Sequence, residues 1–347
     1  MLDRASATEL SYPVSEPPKT GEVIEIAPGI LWARIPLPFR LNHVNIYLIE
    51  DGDGWAVLDT GIADQPTRQT WETLAVRLQG RRLTRLIVTH YHPDHIGLAG
   101  WLCERFEIPL LTSQTTLLGC QNVSLSPGSF NAKPYRDFYQ KHGMPSATLE
   151  KVSTDGHAYL KMVTPLPPTF RRIVDGEVLT IGGRNFLVMM GDGHAPEQAM
   201  LYCKEEGLFL AADQVIAKIT PNVSVWAVDP DGDPLGLYLR SLNRIRTEVD
   251  GDAFVLPGHQ LPFYGLRHRC AELAKHHADR CALIMAACRK AACSVADLVP
   301  VLFSRALDPH QLSFAFSETH AHVNYMIRRG ELSQRQYADG TVRVTAV

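Results

Sequence analysis

Short apolar runs that close on a polar residue dominate the first two thirds of the chain. Ile30–Ile35, Asn45–Glu50 and Trp55–Asp59 read as strands, and Gly21–Ile26 reads as one before them. Asp51-Gly52-Asp53-Gly54 between two of these runs has the chemistry of a turn. Pro66–Leu78 then alternates at helical spacing, Arg85–Thr89 returns to a strand, and Leu98–Phe106 to a helix. Three more apolar runs, Phe186–Met190, Leu208–Ala212 and Phe254–Leu256, read as further strands. Strands first, then strand alternating with helix, then strands again predicts an α/β chain. Two sheets pack face to face with helices outside, an αββα sandwich.

The pattern also divides the chain. Residues 1–20 are polar and carry Pro13, Pro17 and Pro18, which predicts a flexible N-terminal arm ahead of a sandwich domain over 21–265. Inside that domain, 115–168 has weak strand signals and is longer than a connection needs. It is expected to be a largely helical cap over a substrate pocket. His142 and His157 within it are expected at the surface. Past Gly265 the character changes: Gly265–Arg289 is one long helical pattern, Ser294 caps a second over Val295–Ala306, and Leu312–Arg329 makes a third stopped by Gly330. Asp339-Gly340 then signals a hairpin. Three helices and a hairpin predict a winged-helix-like module over 266–347, with His320 and His322 on a helix surface and His276-His277 in its packing.

Composition excludes more than it assigns. At 347 residues the chain exceeds what one core usually fills, which agrees with a large domain plus an accessory one. A formal charge of −3 gives no global attraction to nucleic acid or to membrane, and no stretch reaches spanning length. Seven cysteines without paired spacing read as free thiols of a reducing cytosol, so a cytoplasmic protein is expected.

Chemistry concentrates in Thr89-His90-Tyr91-His92-Pro93-Asp94-His95-Ile96-Gly97, directly after the apolar Leu86-Ile87-Val88. Imidazole and carboxylate are the ligands that borderline divalent metals prefer. From a strand end, His90 and His92 can reach one metal while Asp94 and His95 point at a site beside it. His194 in Gly191-Asp192-Gly193-His194, Asp213 after Leu208–Ala212, and His259 after Phe254-Val255-Leu256-Pro257-Gly258 also stand at strand ends, where a rigid sheet can hold a site.

This constellation, with Asp59 in Trp55-Ala56-Val57-Leu58-Asp59-Thr60-Gly61, resembles the metallo-β-lactamase-fold hydrolase superfamily over roughly 21–265. The resemblance implies that His90, His92 and His194 bind a first metal and that Asp94, His95 and His259 bind a second. Asp213 would bridge the two, and Asp59 would be a buried carboxylate orienting the histidine loop. Zinc β-lactamases of the best-known class carry Cys where this chain has Asp213, and diiron flavoproteins of the fold carry Glu at the position of His92. The pattern is closer to glyoxalase II-type thioesterases, lactonases and phosphodiesterases, and to the single-iron persulfide dioxygenases. The C-terminal module resembles that of lactamase-like endoribonucleases of the mitochondrial type.

Two adjacent divalent cations, zinc before iron or manganese, are therefore expected to supply a metal-bound hydroxide that attacks a small-molecule thioester, ester or lactone. Asp94 would be the catalytic proton acceptor. The alternative is a phosphodiesterase acting on RNA and guided by the C-terminal module, with Arg328, Arg329, Arg335 and Arg343 as phosphate contacts. The module's charge balance disfavours direct nucleic-acid binding. Lys218, Asn222 and Trp226 are candidate substrate contacts by position alone. The partners expected are a small-molecule substrate and, if subunits associate, a second copy of the chain; no membrane is involved.

Overall fold

A computed structural model describes residues 9–78, 80–126, 132–155 and 158–347. Strands β1 (Val23–Ala27), β2 (Ile30–Pro36), β3 (His43–Asp51), β4 (Gly54–Leu58), β5 (Leu83–Ile87), β6 (Leu110–Thr112) and β7 (Arg171–Arg172) form one sheet in chain order. It is antiparallel from β1 to β4 and parallel from β4 to β7. Helix α1 (Gln65–Arg77) intervenes before β5. The one-turn α2 (Pro93–Ile96) and α3 (Ala99–Phe106) intervene before β6.

Between β6 and β7 lie α4 (Gln114–Leu125), α5 (Lys133–Lys141), α6 (Ser146–Asp155) and α7 (Ala158–Lys161). A second sheet follows from β8 (Val178–Ile181), β9 (Arg184–Gly191), β10 (Gln198–Cys203), β11 (Leu208–Ala212) and, after α8 (Pro234–Glu248), β12 (Phe254–Pro257), in the order β12-β11-β10-β9-β8.

Period-two alternation explains the layering. Ile30 and Trp32 of β2, Tyr47 and Ile49 of β3, Ala56 and Leu58 of β4 and Ile87 of β5 face the second sheet, packing with Phe186, Val188, Leu201, Leu210 and Leu256. The intervening residues, Ala33, Ile35, Val44, Ile46, Leu48, Val57 and Leu86, pack with Trp71 and Leu74 of α1 and Leu102 of α3. Because both faces of the first sheet are covered, its strands read as almost unbroken apolar runs. On the second sheet, Arg244 of α8 donates to Asp175 Oδ1 (2.7 Å) and to the Met190 carbonyl (3.5 Å), which seats the last turns of that helix against β9. The architecture is the expected αββα sandwich.

The described chain divides into two compact units. The first takes in residues up to Leu125, Tyr159–Pro221 and Asn243–Cys270; the second is Ser126–Ala158, Asn222–Leu242 and Ala271–Val347. The segment expected as a cap is largely helical where described, with irregular stretches at 142–145 and 162–168, and its residues are shared between both units. Residues 1–8 and His157 lie outside the described residues. From Ser11 the N-terminal segment is tied rather than loose, since Ser11 and Tyr264 exchange backbone hydrogen bonds of 3.2 and 2.9 Å.

The second unit carries the expected helix–helix–helix–hairpin order: α9 (Leu266–Cys288) from Ala271 on, α10 (Val295–Leu302), α11 (Pro309–Arg328), then β13 (Leu332–Gln336) paired antiparallel with β14 (Val342–Ala346). Ser294 caps α10 in a reciprocal capping box with Asp297. Helix α11 is the centre of this unit, which corrects three expectations. His320 and His322 are buried rather than on a helix surface, and His142 is buried as well. His320 stacks on Phe138 at 5.0 Å and lies 4.2 Å from the His142 ring. His322 is bonded to His277 (3.1 Å) and to the Glu318 carbonyl (2.8 Å). Burial holds these imidazoles neutral, His142 and His322 at a pKa of about 4. A helix packed on several sides buries even its histidines, and neutral imidazole tolerates this where an ammonium would not. Among the described residues no helix is long and apolar enough to cross a membrane.

Candidate metal centre

Five strand ends build the site, all in the first unit. Asp59 ends β4, His90 follows β5, His194 follows β9, Asp213 follows β11 and His259 follows β12. Pro93 starts the one-turn α2, with His92 extended before it, so Asp94 and His95 project from a helical turn rather than from an extended loop. Three of these junctions use left-handed backbone at residues other than glycine: Asp59 (φ 66°), Ala212 (φ 45°) and Gln260 (φ 68°). Such backbone is disfavoured and persists where surroundings over-determine it. At Gly258 close approach excludes a side chain, because a Cβ there would lie 2.2 Å from Asp213 Oδ1 and 3.0 Å from His95 Cε1.

The seven expected ligands converge. His90, His92 and His194 form one group whose donor atoms lie within 4.8 Å of one another, and Asp94, His95 and His259 form another. Asp213 Oδ2 is 3.5 Å from His95 Nε2, 3.5 Å from His194 Nε2 and 3.2 Å from His259 Nε2, so this carboxylate stands between the groups. Asp94 Oδ2 is 3.3 Å from His259 Nε2 and 3.6 Å from His95 Nε2.

The donors suit a divalent cation on two further observations. His95 Nε2 and Asp213 Oδ1 are buried without a hydrogen-bond partner, although burying bare polar atoms is costly. The spacings of 3.5 and 3.6 Å from His95 to two carboxylates are too long for hydrogen bonds and leave room for an interposed ion.

Electrostatics agree. Burial, followed by the neighbouring imidazoles His95 and His92, holds His90 far below the usual histidine range; burial and His194 bring His92 to about 3. Both imidazoles are therefore neutral, the form in which histidine can bind metal. For His259 burial is outweighed by Asp213 and Asp94, which raise it to about 10, and His95 is raised well above its usual value by Asp213, Asp94 and Asp59 against the same burial. The two aspartates are held low: burial would raise them, but His259 and His95 prevail. Two imidazolium protons thus balance the paired carboxylates, and a metal bound by these residues would compete with them.

The supporting hydrogen bonds set which ring nitrogen faces the cluster. Asp59 accepts from Thr89 N (2.8 Å) at Oδ1, and from Thr89 Oγ1 (2.9 Å) and His95 Nδ1 (2.8 Å) at Oδ2. Thr89 Oγ1, having donated, accepts from His90 Nδ1 (2.9 Å). His259 Nδ1 donates to the His43 carbonyl (2.7 Å). His90, His95 and His259 therefore each turn Nε2 toward the cluster, the role expected of Asp59 extended to a second histidine through Thr89.

Sequence reasoning missed His43, Asn45, Thr89 and Gln260. They carry no spacing signal, since each acts through neighbours that only the fold brings near. Lys218, by contrast, is exposed, with its ammonium over the Tyr12 ring at 5.7 Å. Asn222 and Trp226 belong to the second unit, where Asn222 Oδ1 accepts from Ser224 Oγ (3.0 Å) and Trp226 packs edge-on against Phe314 at 5.7 Å.

Two three-donor groups with a carboxylate between them, at the strand ends of an αββα sandwich, are the site of a metal-dependent hydrolase. The chain belongs to the metallo-beta-lactamase superfamily, whose family model matches residues 40–259, and a model described as a metallo-beta-lactamase-like C-terminal domain matches 281–347. It is similar over nearly its whole length to a beta-lactamase domain protein from Burkholderia ambifaria, with 36% identity, coverage of 97% of this chain and 98% of that one, and a TM-score of 0.91. A metallo-beta-lactamase family protein from Thermus thermophilus is 28% identical, with 93% and 100% covered and a TM-score of 0.78. The Bacillus subtilis protein named "Probable metallo-hydrolase YqjP" is 26% identical over 241 residues, 67% of this chain and 72% of the relative.

Proposed function

We propose that the chain hydrolyses a small-molecule thioester, ester or lactone at a centre of two zinc ions. His90, His92 and His194 would hold one ion, Asp94, His95 and His259 the other, and Asp213 both. The observation that carries the reading is Asp213 Oδ2 lying within 3.5 Å of Nε2 of His95, His194 and His259, a single carboxylate shared by two donor groups. Such ions supply Lewis acidity and make water acidic enough to deprotonate near neutral pH.

The chain's own contribution is orientation and proton placement. Asp59, Thr89 and the His43 carbonyl hold three imidazoles in the ligating tautomer. Asp94, 19% exposed at its side chain, is the more open of the two carboxylates, which supports it as the group that would accept the attacking water's proton at Oδ2. All seven cysteines are free thiols, which supports a reducing, cytoplasmic setting.

Hydrolysis of RNA is less well supported. Of the four arginines that could meet phosphate, Arg328 donates to the Asp231 carbonyl, Arg329 pairs with Glu331 (2.6 Å) and Arg343 pairs with Asp339 (2.5 Å). The test is side-by-side turnover of a glutathione thioester and a single-stranded RNA by zinc-loaded protein, with His259→Ala as control. Thioester turnover that disappears in the control supports the proposal; RNA cleavage that disappears in it, with no thioester turnover, refutes it.

A further inference from the structure

Gln260 follows His259 in the left-handed region, φ 68°, a conformation that favours glycine. Its surroundings hold it there from two directions. The backbone belongs to the first sheet: Gln260 N donates to His43 Nε2 (2.9 Å), and its carbonyl accepts from Arg34 Nη2 (2.6 Å) and Asn45 Nδ2 (2.9 Å). Those donors are themselves fixed, since Arg34 Nε and Trp32 Nε1 both donate to Asn45 Oδ1, at 3.1 and 3.0 Å. The Asn45 amide and Tyr47 Oη also donate to the Pro257 carbonyl, each at 2.9 Å, so the approach to His259 is clamped as well.

The side chain faces a different segment. Gln260 Oε1 accepts from the backbone N–H of Lys218 (2.7 Å) and of Ile219 (3.4 Å), in the stretch that leaves Asp213. A glycine would satisfy the turn and every backbone bond without strain, but would drop these two. The side chain therefore makes the contacts that a glycine in this turn would lack.

We infer that Gln260 is a positioning residue whose side-chain amide ties the segment after Asp213 to the His259 turn. It thereby sets the relative placement of two ligands that face each other at 3.2 Å. This rests on the reading of Asp213 and His259 as metal ligands. Through Gln260, the first sheet orients two donors that the second sheet carries. The exposed Lys218 matters here through its backbone N–H, held from the site side, and not through its ammonium.

Three variants separate this role from a plain turn: Gln260→Gly keeps the backbone bonds and relieves strain, Gln260→Met is near-isosteric without an acceptor, and Gln260→Glu retains one. Amide exchange is followed at residues 218 and 219 in the metal-free protein, with thermal unfolding alongside, and zinc affinity is measured by chelator competition. The Gly variant should unfold no earlier than wild type. Its Lys218 and Ile219 amides should nevertheless exchange about tenfold faster, and zinc should bind roughly tenfold more weakly, as other supports of metal ligands behave. Met should match Gly, and Glu should restore the exchange protection. Unchanged exchange in Gly and Met overturns the proposal. So does faster exchange with unchanged zinc affinity, which would leave the hydrolase reading intact. Wild-type protein that takes up no zinc defeats the metal reading itself and the inference with it.

Discussion

Replacing Asp59 by asparagine tests the tautomer argument with almost no change of shape. Asp59 Oδ2 accepts two donors, Thr89 Oγ1 and His95 Nδ1, while Oδ1 accepts the Thr89 N–H. An asparagine can place its oxygen toward the Thr89 N–H and its NH2 toward the other two. Thr89 Oγ1 must then accept from the new amide and donate to His90 Nδ1, and His95 must accept at Nδ1. Both rings would thereby turn N–H, instead of a lone pair, toward the cluster.

The opposite amide flip sets NH2 against the buried Thr89 N–H and leaves donors unpaired, at a cost of about 1–3 kcal/mol. Inverting the two tautomers is the easier outcome, and it removes ligands from both metal groups. Loss of such support typically weakens metal binding about 10–100-fold, or roughly 1.4–2.8 kcal/mol. Two affected histidines place the expectation at the upper end. The assay is zinc affinity by chelator competition, with circular dichroism and thermal unfolding of the metal-free variant to verify the fold. A variant that folds and binds zinc within about threefold of wild type would refute the chain from Asp59 through Thr89 to His90.

Gly258→Ala forces a Cβ to within 2.2 Å of Asp213 Oδ1, so stability should fall by about 1–3 kcal/mol and bound zinc per chain should drop, read by denaturant unfolding and elemental analysis. In the metal-free protein His259 is raised to about 10 by Asp213 and Asp94 against burial, so its stabilising contribution is complete below the usual histidine value near 6.5 and disappears as pH rises toward 10. Unfolding midpoints of metal-free protein should fall across that window, and those of zinc-loaded protein should fall less. In the second unit, Arg280→Ala strips a 2.6 Å partner from the buried Glu318, whose carboxyl burial already raises to about 7 and which would then take up a proton; the loss should cost about 1–3 kcal/mol, measured by chemical denaturation.

The residues that converge in the cluster were legible in the sequence because each sits where an apolar strand ends, and strand ends are the positions at which pattern and chemistry coincide. His90, His92, Asp94 and His95 follow β5 within a few residues, and His194, Asp213 and His259 each close a strand of the second sheet. The αββα layering was legible for the same reason, since first-sheet strands buried on both faces read as apolar runs. The short strands β6, β7 and β8 went unread, as did strand β10, Gln198–Cys203, and helix α8, Pro234–Glu248; the last two show why. Strand β10 opens on a polar glutamine and is buried along its length, which erases alternation; helix α8 follows a loop rich in Asp, Pro and Gly that masks its start.

What remained illegible is the support of the ligands, and the reason is physical. His43 and His259 lie far apart in sequence, yet the His43 carbonyl fixes the tautomer of His259 and the His43 ring receives the Gln260 N–H. Neither contact imposes a residue pattern: any residue offers a carbonyl, and a ring nitrogen accepting one N–H needs no neighbour at fixed spacing. The histidines of α11 follow the same logic in reverse. His320 and His322 sit beside Glu318 in a helix with an arginine at its end, a local pattern that suggests solvent. Their burial is set by α5, α9 and the His142 and His277 side chains, which reach them only across the fold. Sequence therefore identifies groups whose role lies in their own chemistry at an element's end, and it hides groups whose role is to orient another residue's chemistry. Asp59 is the boundary case: its place in a strand-end motif made it visible, while its reach through Thr89 to His90 emerges only from the geometry.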